Sequence, residues 1–225
     1  MKRSEKSPLV GWIPAAALGV AVVAVLVTTG VLLSNGLGGP VPEPTEGQVT
    51  DLNWSSFTED GLAYIAATRQ VRIDMSNPPV DAAALGLAAD DTLVLEPILN
   101  LDTQLDYDLI VNGAGEGPGG ARFIVTEISI VTKKGVVTQI SAPLREVVNF
   151  RQTLNYLVAQ AVVFGWDTSG VDSIFQTAED ATRAGEGYEF TFGPGDRTGV
   201  NFSATASCDP SGFCLVRYDV TPRVR

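Results

Sequence analysis

An uncharged stretch runs from Ser7 to Pro42, and inside it lies the apolar run Leu9–Leu33, 25 residues long. About 20 apolar residues in a helix cross the hydrocarbon core of a bilayer. An all-round apolar helix of this length needs lipid or a large protein around it. The run therefore predicts a transmembrane signal anchor over residues 9–34, preceded by a short tail at residues 1–8. A cleaved signal peptide has a shorter apolar core, about 7–15 residues, and a small-residue cleavage site. The segment Thr28–Ser34 offers no such site, and no cysteine follows the run to receive a lipid.

Charge on either side of the run sets the orientation. Met1–Lys6 carries three basic residues and one acid; after the run come Glu43 and Glu46, with no basic residue before Arg69. Basic flanks stay cytoplasmic, so the N-terminus is expected inside and the rest outside, with the membrane as a partner through residues 9–34. Trp12 falls where an indole would lie at the inner interface. Residues 35–50 hold Gly36, Gly38, Gly39, Pro40, Pro42 and Pro44, a composition that predicts a semi-rigid stalk rather than a packed element.

Residues 51–225 are long enough for one domain around a single core. Met1–Lys6 holds three of the 15 basic residues and one of the 26 acidic ones, which leaves 12 against 25 and a net charge of −13 for the remainder. Such a surface does not suit nucleic acid, whose phosphates need compensating Lys and Arg, nor a domain lying flat on anionic lipid. The two cysteines sit in Cys208-Asp209-Pro210-Ser211-Gly212-Phe213-Cys214, with turn formers between them and strand-like residues on both sides. Outside the membrane this spacing predicts a structural disulfide across a hairpin, contributing roughly 2–2.5 kcal/mol by loop entropy.

The element pattern predicts an α+β fold: a mainly antiparallel sheet with a helix pair packed on one face. Thr58-Glu59-Asp60 opens a short helix, and Val71, Ile73 and Met75 alternate with charged residues as in a half-buried strand. A helix is expected over Val80–Ala89, then strands over Thr92–Leu99 and Leu105–Val111. A hairpin follows from Arg122–Thr132 and Val136–Ile140 around Lys133-Lys134-Gly135. Pro143 and the helical spacing of Val147, Phe150, Leu154, Leu157, Ala161 and Phe164 predict one long helix ending at Gly165. A second helix is expected over Val171–Arg183, followed by strands at Tyr188–Phe192, Val200–Ser207 and Cys214–Thr221.

The chain contains no histidine, which removes Ser-His-Asp and Cys-His catalysis and the usual zinc ligands. Ser-Lys chemistry has only Lys133 and Lys134 to draw on beyond the anchor, both at a turn. Gly115-Glu116-Gly117-Pro118-Gly119-Gly120 has the spacing G-x-G-x-x-G, yet it leads into the strand-like Phe123-Ile124-Val125 instead of a helix, so it reads as a hairpin loop. Asp102, Asp106 and Asp108 supply oxygen ligands of the kind Ca²⁺ takes, but their alternation fits a solvated strand face equally well. A glycosidase reading needs two carboxyls about 5–9.5 Å apart; Glu96, Asp108, Glu127 and Glu146 are candidates, with Trp54, Tyr156 and Trp166 as sugar-lining aromatics. Asn53-Trp54-Ser55 and Asn201-Phe202-Ser203 match the N-glycosylation sequon, which matters only in a eukaryotic source.

No catalytic, cofactor-binding or metal-ligating residue is assigned from these patterns; Cys208 and Cys214 are the site residues the sequence supports. The expected function is a membrane-anchored extracytoplasmic domain that binds a protein partner in the cell envelope. A carboxylate-based envelope hydrolase acting on glycan or peptide is the alternative.

Overall fold

The computed structural model describes residues 43–45, 47–50, 52–100, 103–114, 120–144 and 148–223. All but Glu43 belong to the unit Pro44–Arg225. The expected anchor, the tail and most of the stalk lie outside the described residues. Among the described residues no helix is long and apolar enough to cross a membrane.

Helix α1, Glu59–Thr68, starts where the Thr58 hydroxyl accepts the Gly61 amide, with Glu59 and Asp60 in the first turn complementing the helix dipole. It stops at Arg69, which adopts a left-handed conformation and returns its amide to the Ile65 carbonyl. Strand β1, Gln70–Asp74, then buries Val71 and Ile73 and turns the intervening residues outward. The helix expected over Val80–Ala89 is reduced to one 3₁₀ turn, Ala83–Leu85. Asp81 explains this: its carboxylate accepts the Ala83 amide, and its backbone bridges Val136, so the segment serves a sheet edge.

Next come β2 (Asp91–Leu95), the small hairpin β3 (Ile98–Asn100) and β4 (Thr103–Leu105), and β5 (Tyr107–Asn112). They are followed by β6 (Ala121–Val125), β7 (Ile128–Lys133), β8 (Val136–Pro143) and the short β9 (Val148–Asn149). Helices α2 (Phe150–Phe164) and α3 (Val171–Ala184) precede β10 (Tyr188–Gly195), β11 (Asn201–Cys208) and β12 (Phe213–Thr221). The fold is α+β with mostly antiparallel sheets and three α-helices among the described residues.

The strands divide into a three-stranded sheet, β1-β5-β6, and a seven-stranded sheet, β10-β11-β12-β8-β7-β2, with β9 beside β12. Every pair in the larger sheet is antiparallel. In the smaller one β1 and β5 run parallel, a direction that strand alternation alone does not reveal. The stretch Arg122–Thr132, expected as one strand, is two. Buried residues fall at Phe123 and Val125, then Thr126 is buried as well, and the pattern resumes at Ile128 and Ile130. That change of phase marks the point where the chain leaves one sheet and enters the other. The β7–β8 hairpin itself closes as expected, with Lys134 and Gly135 both at positive φ (52° and 76°), the signature of a type I′ turn.

Helix α2 begins at Phe150, later than Pro143 suggested. Pro143 ends β8, where it faces Arg217 of β12, and Asn149 caps the helix by accepting the Gln152 amide. Val147 lies outside the described residues. Helix α2 packs on β9 to β12, and α3 meets β10. Its Phe175 contacts Phe150, whose ring also meets Tyr188 and Phe190 edge-on. Phe123 of β6 stacks on Phe202 of β11 at 5.0 Å and packs against Tyr218 of β12 at 4.9 Å. The smaller sheet thus faces the larger one through this residue, inside one continuous hydrophobic core.

Candidate functional site

Cys208 and Cys214 are directly opposite one another in the β11–β12 register and form a disulfide, with Cα atoms 3.9 Å apart. The turn between them is organised by Asp209, whose carboxylate accepts the amides of Ser211 and Phe213 at 2.8 and 3.0 Å. Both cysteines are buried, Cys214 completely. Inaccessible sulfurs at the end of a continuous ladder hold the hairpin closed; nothing in this arrangement presents a thiol to a substrate.

Among the carboxylates singled out above, Asp106 and Asp108 flank Tyr107 at the start of β5, and Glu96 follows β2, its backbone carbonyl accepting the Tyr107 hydroxyl at 2.8 Å. Asp108 makes a bidentate ion pair with Arg122 across β5 and β6, at 2.7 and 2.8 Å. The same contact raises the Arg122 guanidinium above its ordinary value. Both Asp108 oxygens are therefore engaged on a strand face. Asp102 and Glu146 lie outside the described residues. Among the described residues no three His, Cys, Asp or Glu side chains gather as a metal site would require. Asp167 is held below the usual carboxylate range by the backbone amide and hydroxyl of Ser169, which marks a loop cap ahead of α3.

The aromatic candidates also part company. Trp166 is core: it is 6 % exposed, stacks on Phe202 and donates its indole N–H to the Phe202 carbonyl at 2.8 Å. Tyr156 stands on α2, 44 % exposed, and receives the hydroxyl of the buried Tyr218 at 3.1 Å. Burial first, and then this contact, push the Tyr218 phenol well above the usual tyrosine range. Trp54 belongs to the segment beside β1, where the neighbouring Ser55 amide donates to the Arg72 carbonyl. Residues 115–119 of the glycine-rich stretch lie outside the described residues; its two flanks are held in place. Ala114 donates to the Gly199 carbonyl and Gly120 to the Thr198 carbonyl. A Cβ at Gly113 would lie 2.2 Å from the Thr198 oxygen. Gly113 precedes that stretch, and glycine there serves a crossing of two backbones.

Beside a small hollow of about 290 Å³ at Phe150, Phe175 and Tyr188, two larger concave regions are lined by described residues. One, of about 760 Å³, is lined by Ile124, Leu144, Val148, Tyr156 and Asp106. Leu144 and Val148 flank residues 145–147, which lie outside the described residues. The other is fully built from described residues and was not anticipated from the sequence. Strand β12 pairs with β8 only from Arg217↔Pro143 to Val220↔Ile140. Just beyond, Thr138 is an extra residue in the β7–β8 register, between Val131↔Gln139 and Thr132↔Val137. Such a bulge bends its strand and increases the local twist.

Past the bulge, the outer edge of β8 is taken by the chain that follows β1. Val137 donates to the Val80 carbonyl and Ala82 to the Gly135 carbonyl. Beyond Val220↔Ile140 β8 and β12 are no longer paired, and a wedge of about 610 Å³ is lined by the loop Ser76–Pro79, the start of β8, the start of β11 and the end of β12. Pro78, Pro79, Pro222, Val136 and Val137 form its apolar surface; Ser76, Asn77, Thr138, Asn201 and Thr221 supply neutral polar groups. No ionisable side chain lines it. A register bulge can be inferred from sequence only when the pairing partners are known, and here β8 pairs with three different segments.

Comparison with protein-family models, with curated proteins and with solved structures finds no match.

Proposed function

We propose that this chain is a single-pass membrane protein whose extracytoplasmic α+β domain acts as a binding or accessory module for a protein assembly of the cell envelope. The observation that carries this reading is the uncharged run Leu9–Leu33, with basic residues before it and a Pro/Gly-rich stretch after it. The Cys208–Cys214 disulfide supports an oxidising compartment, and a strongly acidic remainder suits solubility at the membrane without adhesion to anionic lipid. Tethering keeps the domain at high local concentration near membrane partners, so individually weak contacts suffice.

The competing reading, a carboxylate-based hydrolase, needs two facing carboxyls across a cleft. Asp108 is committed to Arg122, the wedge between β8 and β12 contains no carboxyl, and the larger cavity has one carboxyl, Asp106, among its described lining residues. The binding reading therefore accounts for more of the molecule. Its test is isolation of the full-length protein from native membranes. The protein is expected to resist alkaline carbonate extraction and to bring down a stoichiometric partner. Release into the soluble fraction overturns the anchor, and a consistently solitary protein overturns the accessory role.

A further inference from the structure

We propose that the wedge between β8 and β12 is a binding site for an uncharged acetamido sugar, an N-acetylhexosamine unit. This deepens the binding-module reading by naming a ligand class, although the wedge itself stands whether or not the chain is anchored. At about 610 Å³ it falls within the range of small-ligand pockets, about 300–1,000 Å³. Three of its ten lining residues are prolines, which have no side-chain freedom left to lose, and that lowers the ordering cost of binding.

Charge selects the ligand class. The chain carries 26 acidic and 15 basic residues, yet none of the lining side chains ionises. A charged ligand would lose hydration there without gaining a partner, and that cost is large. A neutral ligand with hydrogen-bonding edges meets no such penalty.

The polar groups then specify its chemistry. Asn77 and Asn201 come from different elements, one from the loop after β1 and one from the start of β11. Each carboxamide offers both donors and an acceptor. Among the described residues Asn201 makes one long side-chain contact, from Nδ2 to the Pro222 carbonyl at 3.5 Å, and Asn77 donates to Ser76 Oγ at 3.3 Å. An acetamido group presents one N–H and one C=O, the complement of such a pair. Thr221, beside Asn201 in the β11–β12 register, adds a hydroxyl suited to a ligand that carries hydroxyls itself. The rings of Pro79 and Pro222 and the side chain of Val136 give the acetyl methyl and the C–H face of a sugar an apolar surface. A peptide amide can bond to the hydroxyls as well, but a sugar brings enough hydroxyls of its own to use Ser76, Thr138 and Thr221 together with both carboxamides, which favours the sugar.

The test is saturation-transfer difference NMR on the full-length protein in detergent micelles. The probes are N-acetylglucosamine, glucosamine and N-acetylalanine N-methylamide. Transfer to the acetyl methyl of N-acetylglucosamine is expected with an affinity on the order of 1–10 mM, and little or none to the other two. Asn201→Asp keeps the side-chain size while removing donors and adding charge; it should weaken binding by about tenfold, or ~1.4 kcal/mol. Thr221→Val, which removes only the hydroxyl, should weaken it by a smaller factor and provides the readout if Asn201→Asp lowers the melting temperature. Absence of transfer to N-acetylglucosamine at ~20 mM overturns the proposal. Equal or stronger transfer to the peptide-like amide overturns it in favour of a peptide site. Binding unaffected by both substitutions places the sugar elsewhere. Each of these results leaves the membrane-extraction outcome unchanged, so the two readings fail separately.

Discussion

The core beneath α2 is built from rings, whereas the core contributed by β1 and β5 is built mainly from branched and unbranched aliphatics. Phe123, Phe164, Trp166, Phe202 and Tyr218 pack with neighbouring centroids between 4.2 and 6.1 Å. On the other side Val71, Ile73, Leu109 and Val111 are completely buried. The two regions do different work. Rings cover more area per residue and join elements distant in the chain, but two of them carry polar atoms that must be satisfied. Trp166 finds the Phe202 carbonyl and Tyr218 finds Tyr156. Aliphatics bring no such requirement and tolerate small changes in shape.

The strongest way to break the contrast is Phe202→Ala. Phe202 is completely buried and touches four of the other rings, so the substitution should cost about 3–5 kcal/mol, read as a shift of the denaturant midpoint. A cost near that of an aliphatic truncation of one methyl would show that the rings relax around the cavity and are not a unit.

Second in size is the pH response of Tyr218. Its folded-state value lies above the ordinary tyrosine value because burial disfavours the phenolate. The stabilisation by the neutral phenol is therefore fully present below the unfolded value, about 10, and is lost as pH rises beyond it. Unfolding midpoints measured from about pH 8 to about pH 11 should fall in the parent protein, and Tyr218→Phe should flatten that fall. An identical slope in both would remove Tyr218 from the account.

The smallest effect is expected at Ile73→Val, about 0.5–1.5 kcal/mol, with no added pH dependence because no titratable atom is involved. A larger loss would mean that β1 and β5 are packed as tightly as the ring cluster.

The same contrast explains what the sequence discloses. Val71, Ile73 and Leu109 reveal their strands through alternation, and Cys208 with Cys214 reveal their hairpin through turn residues between them. Helix α3 was legible from its spacing, and α2 at its Gly165 end. The α2 start was not, because Pro143 suits the end of a strand as well as a first helical turn. Only the tertiary position of β12 decides between them. The parallel β1–β5 pair and the wedge were illegible for a related reason: both depend on which strands meet across long separations, and periodicity carries no information about partners. Trp166 illustrates the limit for side chains. Its type suits a sugar platform or a core, and its hydrogen bond to Phe202 puts it in the core.

Strand β12 is the last described element, yet it lies inside the larger sheet, flanked by β11 on one side and by β8 and β9 on the other. The two halves of that sheet therefore remain unjoined until this segment has been synthesised. Up to that moment β8 and β11 each present an open edge of the kind that invites pairing with other chains. Assembly of this domain is governed by a late closing event, so a stall or cleavage upstream of Phe213 leaves two exposed sheet edges rather than a slightly shortened domain.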